Sequence, residues 1–76
     1  MQILARYTYR QTAVIVHLSR HTIARWVQAD AGKPFAEQRF PGAGSGFVPL
    51  AAIKAYLHMT TDELRSLDVD LSPVPA

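Results

Sequence analysis

The sequence contains no cysteine, so the chain has neither a disulfide nor a thiolate metal site, and this composition suits a cytosolic protein. It also lacks an uninterrupted apolar run near the roughly 20 residues that a helix needs to span a bilayer. Residues 1–6 lack the order of positive charge and long apolar run that is typical of a signal peptide. We therefore expect a cytoplasmic protein that has no membrane partner.

The chain is also short. Its 76 residues are expected to form one compact domain, whose core is just large enough to offset the entropy of the chain. A deep catalytic pocket is not expected at this size. His17, His21 and His58 have no Asp or Glu at ligand spacing, so the sequence predicts no metal site and no cofactor.

The net charge of +2 is low, but the charges are unevenly distributed. Residues 1–58 carry seven basic and two acidic side chains, whereas residues 59–76 carry one basic and four acidic side chains. This division predicts a basic domain over residues 1–58, followed by a short helix and a flexible acidic C-terminal tail over residues 59–76. A basic body facing phosphate would explain the division, and ordinary solvated charges are the alternative.

Residues 13–28 have the pattern of a helix-turn-helix. An apolar run reaches Leu18, and Ser19 can cap the helix that follows. Helical spacing places Arg20, His21 and Arg25 mainly on one side of that helix. The residues expected on the other side, in the core, are Ile23, Trp26 and Val27. In such a motif the second helix lies in the major groove of DNA.

Capping residues and helical spacing predict three further helices. A capping box of Thr8 and Gln11 starts the first, over about residues 9–16, and the next two cover about residues 49–58 and 61–67. The last one has a capping box of Thr60 and Glu63, while residues 3–7 are a short strand or an extended arm. His17 takes the place in the turn where a glycine is common. No internal repeat is evident in the sequence.

The segment after the second helix is predicted to form a β-hairpin. The helix should end near residues 29–30, with Gly32 as its left-handed stop. Residues 35–40 and 47–48 are aromatic-containing runs on either side of the glycine-rich residues 41–46, which is typical of a hairpin. A phosphate-binding loop is disfavoured because no buried strand precedes these glycines and no Lys-Ser/Thr pair follows them. The predicted fold is therefore mainly α with a small β-hairpin, a winged helix-turn-helix.

In this order of elements the sequence resembles the MerR-like winged helix-turn-helix proteins, especially phage excisionases and small prophage regulators. Residues 18–26, 32–35 and 47–57 carry the resemblance. The sequence departs from the family pattern at two places: His17 stands in the turn, and the predicted wing tip has no Arg or Lys. The resemblance implies that several copies bind repeated sites on double-stranded DNA in a bacterial host cell and bend it. It also implies an integrase partner that is directed toward excision, and repression of a nearby promoter.

The helix-turn-helix and the hairpin together define a set of predicted contacts with DNA. Arg20 and Arg25 suit guanine or phosphate, and His21 and Thr22 suit base edges or phosphate. Arg10 would add a phosphate contact from the first helix. The complete set of predicted DNA-binding residues is Arg10, Arg20, His21, Thr22, Arg25, Lys33, Arg39 and Ser45.

Two other functions remain open, and a third is set aside. The chain is a small transcriptional regulator if excision is not its output. It is a protein-interaction module if the acidic segment and Leu64 with Leu67 dock on a larger partner, such as a terminase, replication or recombinase subunit. An enzyme is not expected, because Ser19 and His21 diverge around the helix start and cannot form a triad with Asp30.

Overall fold

The computed structural model of the protein describes residues 1–30, 32–41 and 46–71. Within these residues four short helices surround a two-stranded antiparallel sheet, so the described chain is mainly helical. The elements, in chain order, are β1 (Arg6–Thr8), α1 (Tyr9–Val16), α2 (Arg20–Val27), β2 (Phe47–Pro49), α3 (Leu50–Leu57) and α4 (Thr61–Arg65).

The capping box predicted for the first helix is confirmed. The Gln11 N–H donates to Thr8 Oγ1 at 3.1 Å, and the Thr8 N–H donates to Gln11 Oε1 at 2.9 Å. Because two backbone donors at the start of the helix are thus satisfied, α1 begins directly after β1. Thr12 is fully buried, and its hydroxyl donates to the Thr8 carbonyl at 2.9 Å.

The last helix also begins at its predicted capping box. Thr60 caps α4, and its backbone N–H donates to Glu63 Oε1 at 3.0 Å. This bond, followed by the contribution of the Thr60 side chain, holds the pKa of the Glu63 carboxyl below its ordinary value. The helix ends at Arg65, two residues before the predicted end at Leu67.

The hairpin predicted between residues 35–40 and 47–48 is wrong. Residues 35–40 form turns, and β2 pairs instead with β1, with Tyr7 opposite Val48. Phe35 has a φ of 65°, which a strand does not allow, and the Glu37 N–H donates to the Val27 carbonyl at 3.0 Å. The segment is therefore folded against the end of α2 and contributes buried side chains there.

The predicted end of the second helix needs a smaller correction. α2 ends at Val27, and its last cap is Gln28 in a right-handed conformation with a φ of −90°. Gly32 is not in the left-handed region, so it is not the stop that the sequence suggested. Among the described residues, the first one in the left-handed conformation after this helix is Phe35.

The hydrophobic core lies between the sheet and the helices. Its fully buried larger side chains are Tyr7, Thr12, Ile23, Val27, Phe35, Val48, Ile53 and Leu64. Tyr7 also anchors the N-terminal residues, since its hydroxyl accepts from the Leu4 N–H at 2.9 Å and donates to the Gln2 carbonyl at 3.0 Å. Leu64 packs into this core, so it is not free to dock on a partner or a second protomer.

The structure contains a repeat that the sequence does not show. The order strand, helix, turn, helix occurs twice, and each element of β2–α3–α4 begins 41 residues after its counterpart in β1–α1–α2. In both copies the first helix ends at a left-handed histidine, His17 with a φ of 58° and His58 with a φ of 54°. In both copies a hydroxyl side chain, from Ser19 or Thr60, caps the next helix.

The two copies meet at the sheet in a reciprocal manner. Tyr7 pairs with Val48, which is its own counterpart in the repeat. Two backbone bonds beside the strand ladder fall at matching positions: Tyr9 N–H donates to the Gly46 carbonyl at 3.3 Å, and Leu50 N–H donates to the Ala5 carbonyl at 3.0 Å. The two strands are thus related by a local two-fold axis at the Tyr7–Val48 pair.

We expect Leu64→Ala to lower the free energy of unfolding by about 2–5 kcal/mol, because it leaves a cavity beneath α4 in the shared core. Urea unfolding followed by circular dichroism measures the change. Val14→Ala is the control, since Val14 is 48% exposed on α1 and its truncation should change stability by no more than about 0.5 kcal/mol. Equal midpoints for the two variants would show that α4 does not belong to the cooperative core.

Candidate nucleic-acid interface

Ser19 sets the start of α2. It has an extended backbone, with a φ of −76° and a ψ of 151°, and its Oγ accepts from the Thr22 N–H at 3.1 Å. The Ser19 and Thr22 hydroxyl oxygens also lie 2.8 Å apart, within hydrogen-bonding distance. The serine hydroxyl is therefore engaged with Thr22 rather than with His21. This cap places Arg20 and His21 in the first turn of the helix.

The helix α2 has one buried and one exposed side. Ile23 and Val27 are buried completely or almost completely. Arg20, His21 and Arg25 are exposed, as the helical spacing predicts. Thr22 is half-buried, and its hydroxyl lies within hydrogen-bonding distance of the Ser19 hydroxyl at the exposed start of the helix.

The exposed side of α2 carries positive charge that no carboxylate of the described residues neutralises. The first turns of α1 and α2 contain no acidic residue, and Arg10 is exposed in the first turn of α1. Within the described residues the recorded salt bridge joins Arg65 to Asp62 at 2.6 Å, while Arg10, Arg20 and Arg25 have no such partner. A helix N-terminus adds a partial positive charge of its own, so this surface favours anions.

The remaining predicted DNA-binding residues lie elsewhere. Lys33 and Arg39 are exposed in the turns of residues 32–41, which the bond from Glu37 to Val27 attaches to the C-terminal end of α2. Arg20 is at the opposite end of this eight-residue helix, about 12 Å away along the axis. Ser45 lies outside the described residues, as do the neighbouring residues of the predicted wing tip.

Arg6 is an exposed cation to which the sequence assigned no role. It lies on β1, and its guanidinium carbon is 4.2 Å from the centre of the Phe47 ring. Such a contact orients the charge without neutralising it. No local pattern could have revealed this pair, because it depends on the pairing of β1 with β2. Phe47 is the first residue of β2, so Arg6 is an exposed cation beside the start of that strand.

A cluster of three aromatic rings packs α2 against the neighbouring elements. Trp26 was expected in the core, but it is only partly buried and lies at the periphery of the core, packed against it. Its ring centre lies 6.1 Å from that of Phe35 and 6.2 Å from that of Tyr56, and the latter two lie 5.1 Å apart. The cluster joins α2 to the turns of residues 32–41 and to α3.

The turn before α2 follows the sequence-based expectation. His17 adopts the left-handed conformation in the place where a glycine is common, and the Leu18 N–H donates to the Ala13 carbonyl at 3.1 Å. Leu18 is partly buried and packs against the core. A backbone bond and an apolar contact thus hold the turn that connects α1 to α2.

Comparisons of the chain with protein-family models, curated proteins and solved structures found no match. None of the helices in the described residues combines the length and the apolar character needed to cross a bilayer. In residues 1–30, 32–41 and 46–71 no group of three or more His, Asp or Glu side chains is arranged to hold a metal ion. The function proposed for the α2 surface therefore depends on the exposure and charge of its own side chains.

Trp26→Ala should lower the free energy of unfolding by about 3 kcal/mol, the low end for a tryptophan, because the ring is stacked but only partly buried. Trp26→Phe keeps an aromatic ring in the cluster and should lose less than half as much. Urea unfolding monitored by circular dichroism compares the two. An alanine variant as stable as the parent chain would contradict the supporting role of the cluster.

Proposed function

We propose that the protein binds double-stranded DNA through α2. The observation that carries the proposal is the exposure of Arg20, His21 and Arg25 on a helix whose opposite side, at Ile23 and Val27, is anchored in the core. A rigid helix with unpaired cations on its outer side suits the major groove, which is wide enough to admit it.

The side chains of α2 divide into two kinds of contact. Arg20 and Arg25 are long enough to donate two hydrogen bonds to a guanine edge or to a phosphate. His21 adds a polar contact from the first turn. Thr22 is half-buried and engaged with Ser19, so it serves more as part of the helix start than as a base contact.

The other cations contact the phosphate backbone in this proposal. Arg10 does so from α1, while Lys33 and Arg39 do so from turns beside the C-terminal end of α2, in place of the hairpin that the sequence suggested. Such contacts position the protein on the duplex and carry no sequence information themselves. Ser45, which lies outside the described residues, is proposed to contact the adjoining groove of the DNA.

We further propose that the protein is a phage or mobile-element excisionase that bends DNA, on the strength of the family resemblance of residues 18–26 and 47–57. Bending a site by tens of degrees costs on the order of 1–6 kcal/mol, which several small copies bound in a row would supply through summed phosphate contacts. An integrase would then assemble on the bent DNA. A small transcriptional regulator that uses the same α2 surface is the second candidate.

Fluorescence anisotropy with labelled duplexes tests DNA binding directly. One duplex should carry the sequence that flanks the protein's own coding region, and a scrambled duplex of the same composition is the control. We expect the logarithm of the binding constant to fall linearly with the logarithm of the salt concentration. Absence of binding at low salt would refute the proposal and favour a protein-interaction module.

Arg20→Ala and Arg25→Ala should each weaken binding by about 1–3 kcal/mol if the side chain contacts a base, and the preference at one base position should relax. If the side chain contacts phosphate only, binding should weaken equally on all sequences and the salt slope should fall by about 1. Arg65→Ala is the matched control, since Arg65 is an exposed arginine on the acidic helix α4. The proposed interface would be wrong if all three variants bound alike.

DNA bending separates the two candidate functions. Dyes are attached to the two ends of a duplex that contains the protein's binding site. If the protein bends the DNA, energy transfer between the dyes should increase when the duplex is saturated with protein. Binding without a change in end-to-end distance would point to the transcriptional regulator. The duplex should contain several copies of the site, because one bound protein molecule makes few phosphate contacts.

A further inference from the structure

A concave surface borders the aromatic cluster at Tyr56. It is a pocket of about 360 Å³ between the turns of residues 32–41 and the helix α3. Pockets that hold small molecules begin at about this size. The side chains that matter for its chemistry are Pro34, Arg39, Phe40, Ala55, Tyr56 and His58.

The walls of the pocket combine polar and apolar surface, and part of the apolar surface is aromatic. Phe40 and Tyr56 are half-buried and contribute rings, and Pro34 contributes a third flat surface. The pocket is open because α3 presents the small side chains of Ala52 and Ala55 toward it. A planar aromatic group is therefore the shape and polarity that these walls fit best.

The polar groups at the pocket are cationic or neutral. Arg39 is exposed, lies 5.5 Å from the Phe40 ring centre, and has no ion pair within the described residues. His58 lines the pocket from the left-handed end of α3. No acidic residue is among the described lining residues; nearby, the Asp30 carboxylate accepts from the backbone N–H of Gly32 at 3.0 Å.

We propose that this pocket binds a small aromatic molecule that carries a carboxylate. Its ring would pack against Phe40 and Tyr56, and its carboxylate would accept from the Arg39 guanidinium and the His58 side chain. An arginine is well suited to this role because its donors match the two oxygens of a carboxylate. This inference goes beyond DNA binding, although the two surfaces share Arg39.

The pocket is adjacent to the support of α2. Tyr56 lines the pocket and lies 6.2 Å from Trp26, ring centre to ring centre. Trp26 is the single tryptophan of the sequence, so its indole N–H gives one identifiable NMR signal. A ligand against Tyr56 should therefore shift that signal together with the backbone signals of Ala55 and His58.

The experiment titrates the full chain with 2-naphthoate and, separately, with its neutral isostere 2-naphthamide, in the absence of DNA. Calorimetry gives the affinities, and amide chemical shifts give the location. We expect naphthoate to bind at least about tenfold more tightly than naphthamide, because a hydrogen bond to a charged group adds that much. Equal affinities, or shifts that map away from Ala55, Tyr56 and His58, would overturn the proposal.

Two substitutions complete the test. Arg39→Gln should remove the preference for the carboxylate, whereas Arg65→Gln, which changes an exposed arginine outside the pocket, should retain it. Ala55→Leu should fill the pocket and weaken both ligands about equally. If the leucine variant does not fold, the arginine pair still decides: a carboxylate preference that survives Arg39→Gln refutes the site. Because no DNA is present, this result is independent of the proposed DNA binding.

Discussion

The antiparallel pairing of Tyr7 with Val48 is the constraint on which the rest of the structure depends. Both side chains are fully buried, and α1 and α3 begin within two residues of them. The sheet therefore sets the starting points of both helices at once. Each helix then ends at a left-handed histidine and passes into a second helix through a short turn. The position of α2 on the surface follows from this sequence of local connections.

The two halves of the molecule share a backbone plan but differ in surface chemistry. The positions of His21 and Thr22 on α2 correspond to Asp62 and Glu63 on α4. The buried positions correspond as well, since Ile23 and Leu64 are both fully buried. The same scaffold thus presents one helix with unpaired cations and another with carboxylates. This is why the proposed function is assigned to α2 alone, although the order strand, helix, turn, helix occurs twice.

The aromatic cluster connects the two surfaces for which we propose ligands. Trp26 belongs to α2, Tyr56 belongs to α3 and lines the pocket, and Phe35 is fully buried between them. Tight packing of such rings transmits displacement because the interior has little free volume. The turns of residues 32–41 take part in both surfaces, which makes them more than a connection between α2 and β2.

The sequence by itself determined the starts of the helices and the outward side of α2, because caps and helical periodicity act within about four residues. Thr8, Ser19 and Thr60 cap the helices as their spacing predicted. Only the tertiary structure decided the strand pairing and the repeat. Strands of three residues have no readable alternation, so two aromatic-rich segments resembled a hairpin, and the 41-residue repeat preserves a single identity, His17 with His58. Such pairings are determined by burial between distant parts of the chain, and no local sequence pattern predicts them.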